Sequence, residues 1–221
     1  MVEKYIEKLR PHVLEMFAQD SSGHDIGHLE RTMRTALYIQ NKEGGDRVII
    51  GVAAFLHDVH RIMQNEVGKF VSPKDSLDNV RKIIDKAVLD LSEEQIEKIC
   101  YCIEHHEEYN WNGNNVDDLN TLIVQDADNL EAIGAIGIGR AFVYGGAHKL
   151  SMFDEKSPLN ENNDYSEEAG HEESTIHHFY HKLFKLGDNM NTKMAKKLAK
   201  KRIKFMKVYT KEFFDEWYAR Y

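Results

Sequence analysis

Apolar residues recur along this chain at helical spacing, and convincing two-residue alternation is absent. From Ile26 onward, Leu29, Met33, Ala36, Leu37 and Ile39 mark one face of an amphipathic helix that ends near Glu43-Gly44-Gly45, where glycine punctuates the pattern. Asp46 is placed to cap the next helix, because its carboxylate can accept from the first backbone N–H groups. Val48, Val52, Phe55, Leu56 and Val59 give that helix its apolar side. Residues 76–89 and 92–108 predict two more helices, the second opening with the capping box Ser92-Glu93-Glu94-Gln95. Residues 117–132 predict another. The glycine-rich piece 134–144 is apolar all round, which predicts a buried helix whose small residues allow close approach.

Residues 145–170 break the pattern with Gly145-Gly146, Ser157-Pro158 and the polar run NENNDYSEEAG. A loop of this length inside a domain is usually functional or disordered, so it is expected to be a mobile insertion able to act as a lid. Helices are expected again over 172–186 and 192–218. On the last, Met194, Leu198, Phe205, Tyr209, Phe213 and Trp217 trace a stripe expected to face the interior. The fold class is therefore all-α. Neither a repeat nor a linker divides the chain, so one domain over residues 1–221 is expected, with a core at about 20–132 and C-terminal helices at 172–220.

Composition changes this picture only modestly. A chain of 221 residues can bury a sizeable core without staples. Cys100 and Cys102 lie two apart in a helical stretch and so point to different faces, which suits free thiols in a reducing compartment. No apolar run approaches the ~20 residues that span a bilayer, and the first ten residues lack a signal-peptide core, so a cytoplasmic protein without a membrane partner is expected. The net charge of -8 argues against binding of large nucleic acids. The segment KMAKKLAKKRIKFMK, residues 193–207, runs against that balance with eight basic residues and no acid. It reads as a solvated helix face, or else as a surface that attracts phosphates or acidic partners.

The candidate chemistry sits where apolar stretches end in coordinating side chains. His24-Asp-x-x-His28-x-x-Arg31 places His28 and Arg31 on one helical face, offering a metal ligand beside a phosphate-binding guanidinium. Phe55-Leu56-His57-Asp58 puts an imidazole and a carboxylate directly after an apolar helix, and burying that charge calls for a cation. Ile123-Val124-Gln125-Asp126-Ala127-Asp128 repeats the arrangement with carboxylates. Two imidazoles and two carboxylates leave open positions on a divalent ion (Mn²⁺, Mg²⁺, Fe²⁺, Co²⁺ or Zn²⁺) without choosing among them. No Ser, Cys or Thr stands in a nucleophile motif, so a covalent intermediate is not expected.

In order and spacing these residues resemble the HD superfamily of metal-dependent phosphohydrolases, whose signature is His, His-Asp and Asp. His24-Asp-x-x-His28-x-x-Arg31, Leu56-His57-Asp58 and Val124-Gln-Asp-Ala-Asp128-Asn-Leu130 are similar to small bacterial and archaeal members, as are Ala135-Ile-Gly-Ile-Gly139-Arg140 and Ser174-Thr-Ile-His-His-Phe-Tyr180. The resemblance spans about residues 20–215. It implies an HD-domain helical bundle with His28, His57, Asp58 and Asp128 as metal ligands. Asp128 is chosen over Asp126 because the family's Ala-Asp-x-Leu pattern falls on it. Asn129 stands where the family often has Arg.

The resemblance further implies hydrolysis of a nucleotide or related phosphoester, by a nucleoside triphosphate pyrophosphohydrolase, phosphodiesterase or nucleotidase reaction using metal-activated water. Asp58 would ligate the ion and orient the water. Arg31, with Lys149 or Arg140, would hold the phosphate oxygens, and His24 or His105 would carry a proton. His105 and His106 fall where some relatives place an extra histidine, and His105 is the one expected to line the pocket. The alternatives are an HD-fold di-iron oxygenase and a catalytically silent regulatory module. A homodimer is left open.

Overall fold

The computed structural model describes residues 2–18, 23–108, 116–159 and 173–221. Among these, all regular structure is helical and no strand occurs, as the missing two-residue alternation predicts. No helix among them is long and apolar enough to cross a membrane. The chain forms two compact units, Met1–Asp128 and Asn129–Tyr221.

The first unit holds α1 (Val2–Phe17), α2 (Ile26–Glu43), α3 (Arg47–Leu56), α4 (Val59–Val67), a 3₁₀ turn (Pro73–Ser76), α5 (Leu77–Lys86), α6 (Glu93–Glu104) and most of α7 (Leu119–Glu131). Its centre is α3, on which every residue from Ile49 to Leu56 is buried. A helix apolar on all sides must be surrounded, and α1, α2 and α6 pack around it. Gly51 makes one of these approaches possible: a Cβ there would lie 2.5 Å from Val2 Cγ2 of α1. The caps follow the sequence. Asp46 accepts from Val48 N at 2.8 Å and Ile49 N at 3.1 Å, and the Ser92–Gln95 capping box is complete.

Three features differ from the sequence reading. Helix α1 precedes the expected core, with Val2, Ile6, Leu9, Val13 and Phe17 buried along one face at spacings of three and four. Helix α3 stops at Leu56 rather than running to Val59, and Asp58 (φ -92°, ψ 14°) joins it to α4. Helix α6 stops at Glu104, with His105 leaving helical geometry (φ -104°, ψ 6°). The last two breaks decide the site.

The second unit contains the rest of α7, α8 (Gly134–Ala147), α9 (Thr175–His178), a π turn (Phe179–Leu183), α10 (Phe184–Leu186) and α11 (Lys193–Trp217). The expected break therefore begins after Ala147, and the segment that follows is partly packed. Phe153 is buried against Phe214 and Trp217, and Ser151 and Met152 accept backbone bonds from Thr175 and Ile176. Residues 160–170 of the expected mobile insertion lie outside the described residues.

Helix α11 buries Ala195, Ala199, Met206 and Thr210, a stripe displaced from the expected one. Phe205 is 50% exposed. Tyr209 and Phe213 do pack on Phe142 of α8, and Met194 and Leu198 are half-buried like them, so Phe205 is the clearest departure from the expected face. Small residues suit a close helix contact, which a search for large apolar side chains overlooks. Of the basic run, Lys196, Lys197, Lys200, Lys201, Lys204 and Lys207 are exposed. Arg202 instead bonds the Leu130 carbonyl, and burial pushes its pKa down.

Candidate metal centre

Four helix ends and faces of the first unit converge. His28 lies in the first turn of α2, where Asp25 caps the helix by accepting from His28 N at 2.8 Å. His57 and Asp58 occupy the break between α3 and α4. Successive residues of an unbroken helix point about 100° apart, so the break is what lets both side chains reach one centre. Asp128 comes from α7. His28 Nε2 lies 3.2 Å from Asp58 Oδ2 and 3.4 Å from Asp128 Oδ1. His57 Nε2 lies 3.5 Å from each of the same oxygens.

Whether these residues suit a cation is decided by their protons. His57 Nδ1 is 2.9 Å from the Ala54 carbonyl, which can only accept, so Nδ1 carries the hydrogen. Yet His57 Nε2 faces His28 Nε2 at 3.2 Å. Two neutral imidazoles meeting through lone pairs repel unless a proton or cation lies between them. Asp58 Oδ2 is buried without a hydrogen-bond partner. Two nitrogens and two carboxylates, one of them with an orphaned buried oxygen, form a set that fits a divalent ion.

The electrostatics agree. Burial opposes charge on Asp58, but His57, His28 and His24 outweigh it and hold the carboxyl well below the usual range. Burial likewise opposes charge on Asp128, and His28 with His57 outweighs it. His57 is raised, because Asp58 and Asp128 together overcome its own desolvation. This is a site built around negative charge that attracts a positive one.

The other expected residues are distributed unevenly. The His24 ring meets His28 edge-on at 5.8 Å between centroids. Arg31 folds back over Gly27, where a Cβ would lie 3.0 Å from a guanidinium nitrogen, so glycine there gives the arginine its path. Asp126 is fully buried on α7, and the oxygen facing the two imidazoles is that of Asp128. His105 is turned to Glu108 and Tyr101. The imidazole against His57 belongs to its neighbour His106, 5.0 Å away between centroids. Arg140 and Lys149 belong to the second unit, Arg140 on α8 and Lys149 just beyond it with φ 60°.

The sequence reading missed His60, Arg61 and Glu107, and passed over His106. His60 and His106 are fully buried. Burial keeps the His106 imidazole below its ordinary pKa. Glu107 pairs with Arg61, and Arg61 with His60 and His106 overcomes burial to hold its carboxyl well below the usual range. One signal was available: Ile99, Cys102, Ile103 and His106 follow helical spacing, so His106 continues the buried stripe and His105 leaves it.

Comparison with known proteins places this geometry. The HD domain family model matches residues 25–133, which include all four converging residues. A crystal structure of an HD-superfamily hydrolase from Bacillus thuringiensis superposes with TM-score 0.71 at 31% identity, over 99% of this chain and 100% of that one. This chain belongs to the HD-superfamily hydrolases. A Lactobacillus plantarum protein superposes with TM-score 0.80 at 33% identity, over 99% of this chain and 100% of that one. The uncharacterized protein YpgQ of Bacillus subtilis is 30% identical over 213 residues, 95% of this chain and 92% of its own. YpgQ has also been crystallised in complex with ADP; that structure is 28% identical and superposes with TM-score 0.69, over 95% of this chain and 96% of its own. HD domains bind divalent metal ions, and the His28, His57 and Asp58 donors of this HD domain lie close enough together to hold one.

Proposed function

We propose that this HD-superfamily member is a phosphohydrolase of nucleotides or related phosphoesters, with His28, His57, Asp58 and Asp128 as its metal ligands. The observation that carries the reading is the convergence of two imidazole nitrogens and two carboxylate oxygens within 3.2 to 3.5 Å. A divalent ion held there supplies Lewis acidity toward a phosphoryl oxygen and brings the pKa of water toward neutrality. That a relative, YpgQ, was crystallised with ADP supports a nucleotide as the substrate class.

The chain's own residues divide the remaining work. Arg31, one turn beyond His28 on α2, offers a planar donor fork for phosphate oxygens and for charge that develops on them. Asp58 Oδ2, having no hydrogen-bond partner, can orient an attacking water. His24 stands beside His28 at the edge of the cluster and is only partly buried, which suits a proton carrier between site and solvent. The proton role first expected of His105 passes to His106, the imidazole in contact with His57. Arg140 and Lys149 are further candidates for phosphate contacts.

The test is a screen of nucleoside triphosphates, cyclic nucleotides, nucleoside monophosphates and simple phosphoesters. Metal-stripped protein is refilled in turn with Mn²⁺, Mg²⁺, Co²⁺, Fe²⁺ or Zn²⁺, and released phosphate is distinguished from pyrophosphate. Turnover that disappears in His57→Ala and Asp58→Ala, together with bound metal, is the expected result. Full activity and metal content in both variants would sink the proposal. No turnover on any substrate, with two irons bound per chain, would favour the oxygenase reading.

A further inference from the structure

Of the four proposed ligands, Asp128 stands where its own helix holds it least firmly. It lies three residues before the end of α7 at Glu131, in the last turn. The carbonyls of a last turn have no partner within the helix, and such turns fray. His28 and His57 are held locally. Asp25 caps the turn that carries His28, and His57 Nδ1 bonds the Ala54 carbonyl. The Asp128 carboxylate has to meet both imidazoles, at 3.4 and 3.5 Å.

A side chain from far along the sequence secures that turn. Arg202, on α11, donates a guanidinium N–H to the Leu130 carbonyl, two residues beyond Asp128. The same carbonyl accepts from Ile133 N at 3.2 Å, so two bonds close the end of α7 together. The positive charge also stands at the negative end of the helix dipole. Room for the arginine is built in. Only Ala132 and Ile133 separate α7 from Gly134, the first residue of α8, and a Cβ on Gly134 (φ 84°) would lie 2.9 Å from Arg202 Cγ. Gly137 keeps the corner tight, since its Cβ would lie 2.3 Å from the Ala132 carbonyl oxygen. Lys200, Lys201 and Lys204 of the same basic run are exposed, whereas Arg202 is half-buried. Burial lowers its pKa and the Glu131 carboxylate opposes that.

We propose that Arg202 is a positioning residue for the metal centre: by pinning the last turn of α7, it holds the Asp128 carboxylate against His28 and His57. The inference rests on the proposed function, in which Asp128 is a ligand. Its action runs through the backbone. Burial, His28 and His57 set the charge on Asp128, while Arg202 bonds a carbonyl of the turn and not the carboxylate. Small displacements of a coordinating group are costly, and partners that orient ligands change metal affinity by about 10- to 100-fold when lost.

The experiment is a double-mutant cycle on the full chain, read as Mn²⁺ affinity by calorimetry of the metal-stripped protein. Arg202→Met keeps an apolar stem and loses the bond to Leu130. It should weaken Mn²⁺ binding about 10-fold. Arg202→Lys, a point charge of shorter reach, should weaken it about 3-fold. In an Asp128→Asn background, where the positioned carboxylate is gone, Arg202→Met should change affinity by less than about 2-fold. A residue that only stabilises the fold would lower the urea midpoint without this dependence on Asp128. Unchanged affinity in Arg202→Met, or an equal loss in both backgrounds, overturns the positioning role and leaves the ligand set standing. Full affinity in Asp128→Asn overturns the ligand assignment, and this inference with it. If Arg202→Met fails to fold, as circular dichroism would show, the cycle run with Arg202→Lys decides. A loss that vanishes with Asp128→Asn supports the role; no loss, or one that persists, overturns it.

Discussion

At the level of single residues, the choice between Asp126 and Asp128 shows how two carboxylates of one helix acquire different tasks. They are two positions apart on α7 and so point to different sides, and the oxygen facing His28 and His57 belongs to Asp128. Asp128→Asn should weaken metal affinity by about 10-fold or more, because loss of one partner leaves the imidazoles less well compensated. Asp126→Asn should leave affinity within about 3-fold; calorimetric titration with Mn²⁺ checks both. Arg31→Ala should lower kcat/KM for a phosphate substrate by about 10- to 100-fold, or roughly 1.4 to 2.8 kcal/mol, with metal content unchanged.

The same residues fix the acid behaviour of the metal-free protein. Asp58, Asp128 and Glu107 all have folded pKa values below those of the unfolded chain. The stability they contribute is therefore complete above the ordinary carboxylate range, about pH 4, and is lost as pH falls toward the folded values. His106 works in the same direction at higher pH: its folded pKa is lowered, so the unfolded chain gains a proton first and stability declines below about pH 6.5. His57, raised in the folded state, opposes this around neutrality. Urea midpoints should thus change little between pH 7 and 5 and drop steeply from pH 4.5 to 3. A midpoint that rises on acidification through that last interval would contradict the assignment.

At the level of elements, capping, periodicity and the end of the apolar stretch at Leu56 were legible, while the restart of the chain as α4 at Val59 and the early end of α6 were not. Asp46 could be recognised as a cap because a carboxylate stood just ahead of an apolar periodic run, and it bonds two backbone N–H groups. Asp46→Ala should cost about 1 kcal/mol of folding stability, measured by urea denaturation of the metal-free protein. The stop of α3 at Leu56 carries no glycine or proline to announce it. It is imposed by the site, where His57 Nδ1 turns back to Ala54 and Asp58 faces both imidazoles. The early end of α6 is of the same kind. It exchanges the roles of two adjacent histidines, sending His105 toward Glu108 and His106 inward.

At the level of the whole molecule, metal binding and folding are linked, because the ligands come from α2, the α3–α4 break and α7 and meet only when the first unit is formed. An ion at 100 times its dissociation constant should stabilise the protein by about 2.7 kcal/mol. For a chain of this size, that is a rise in Tm of roughly 5 to 10 °C. Thermal unfolding with Mn²⁺ and with excess chelator measures it. An unchanged Tm would mean that no ion binds the folded state preferentially.

The sequence by itself determined the helical class and the places where apolar stretches end in coordinating side chains, since spacing and caps are local properties. It also determined the resemblance through which Asp128 was chosen. Only the tertiary structure decided which of His105 and His106 turns inward. It also brought His60 and Glu107 beside Asp58 and left His60 Nε2 and Asp58 Oδ2 without a hydrogen-bond partner. Those outcomes depend on where helices stop and what they pack against, and such contacts join residues as far apart as 60 and 107. No local pattern encodes them, because the free energy that selects them comes from burial and charge pairing across the fold.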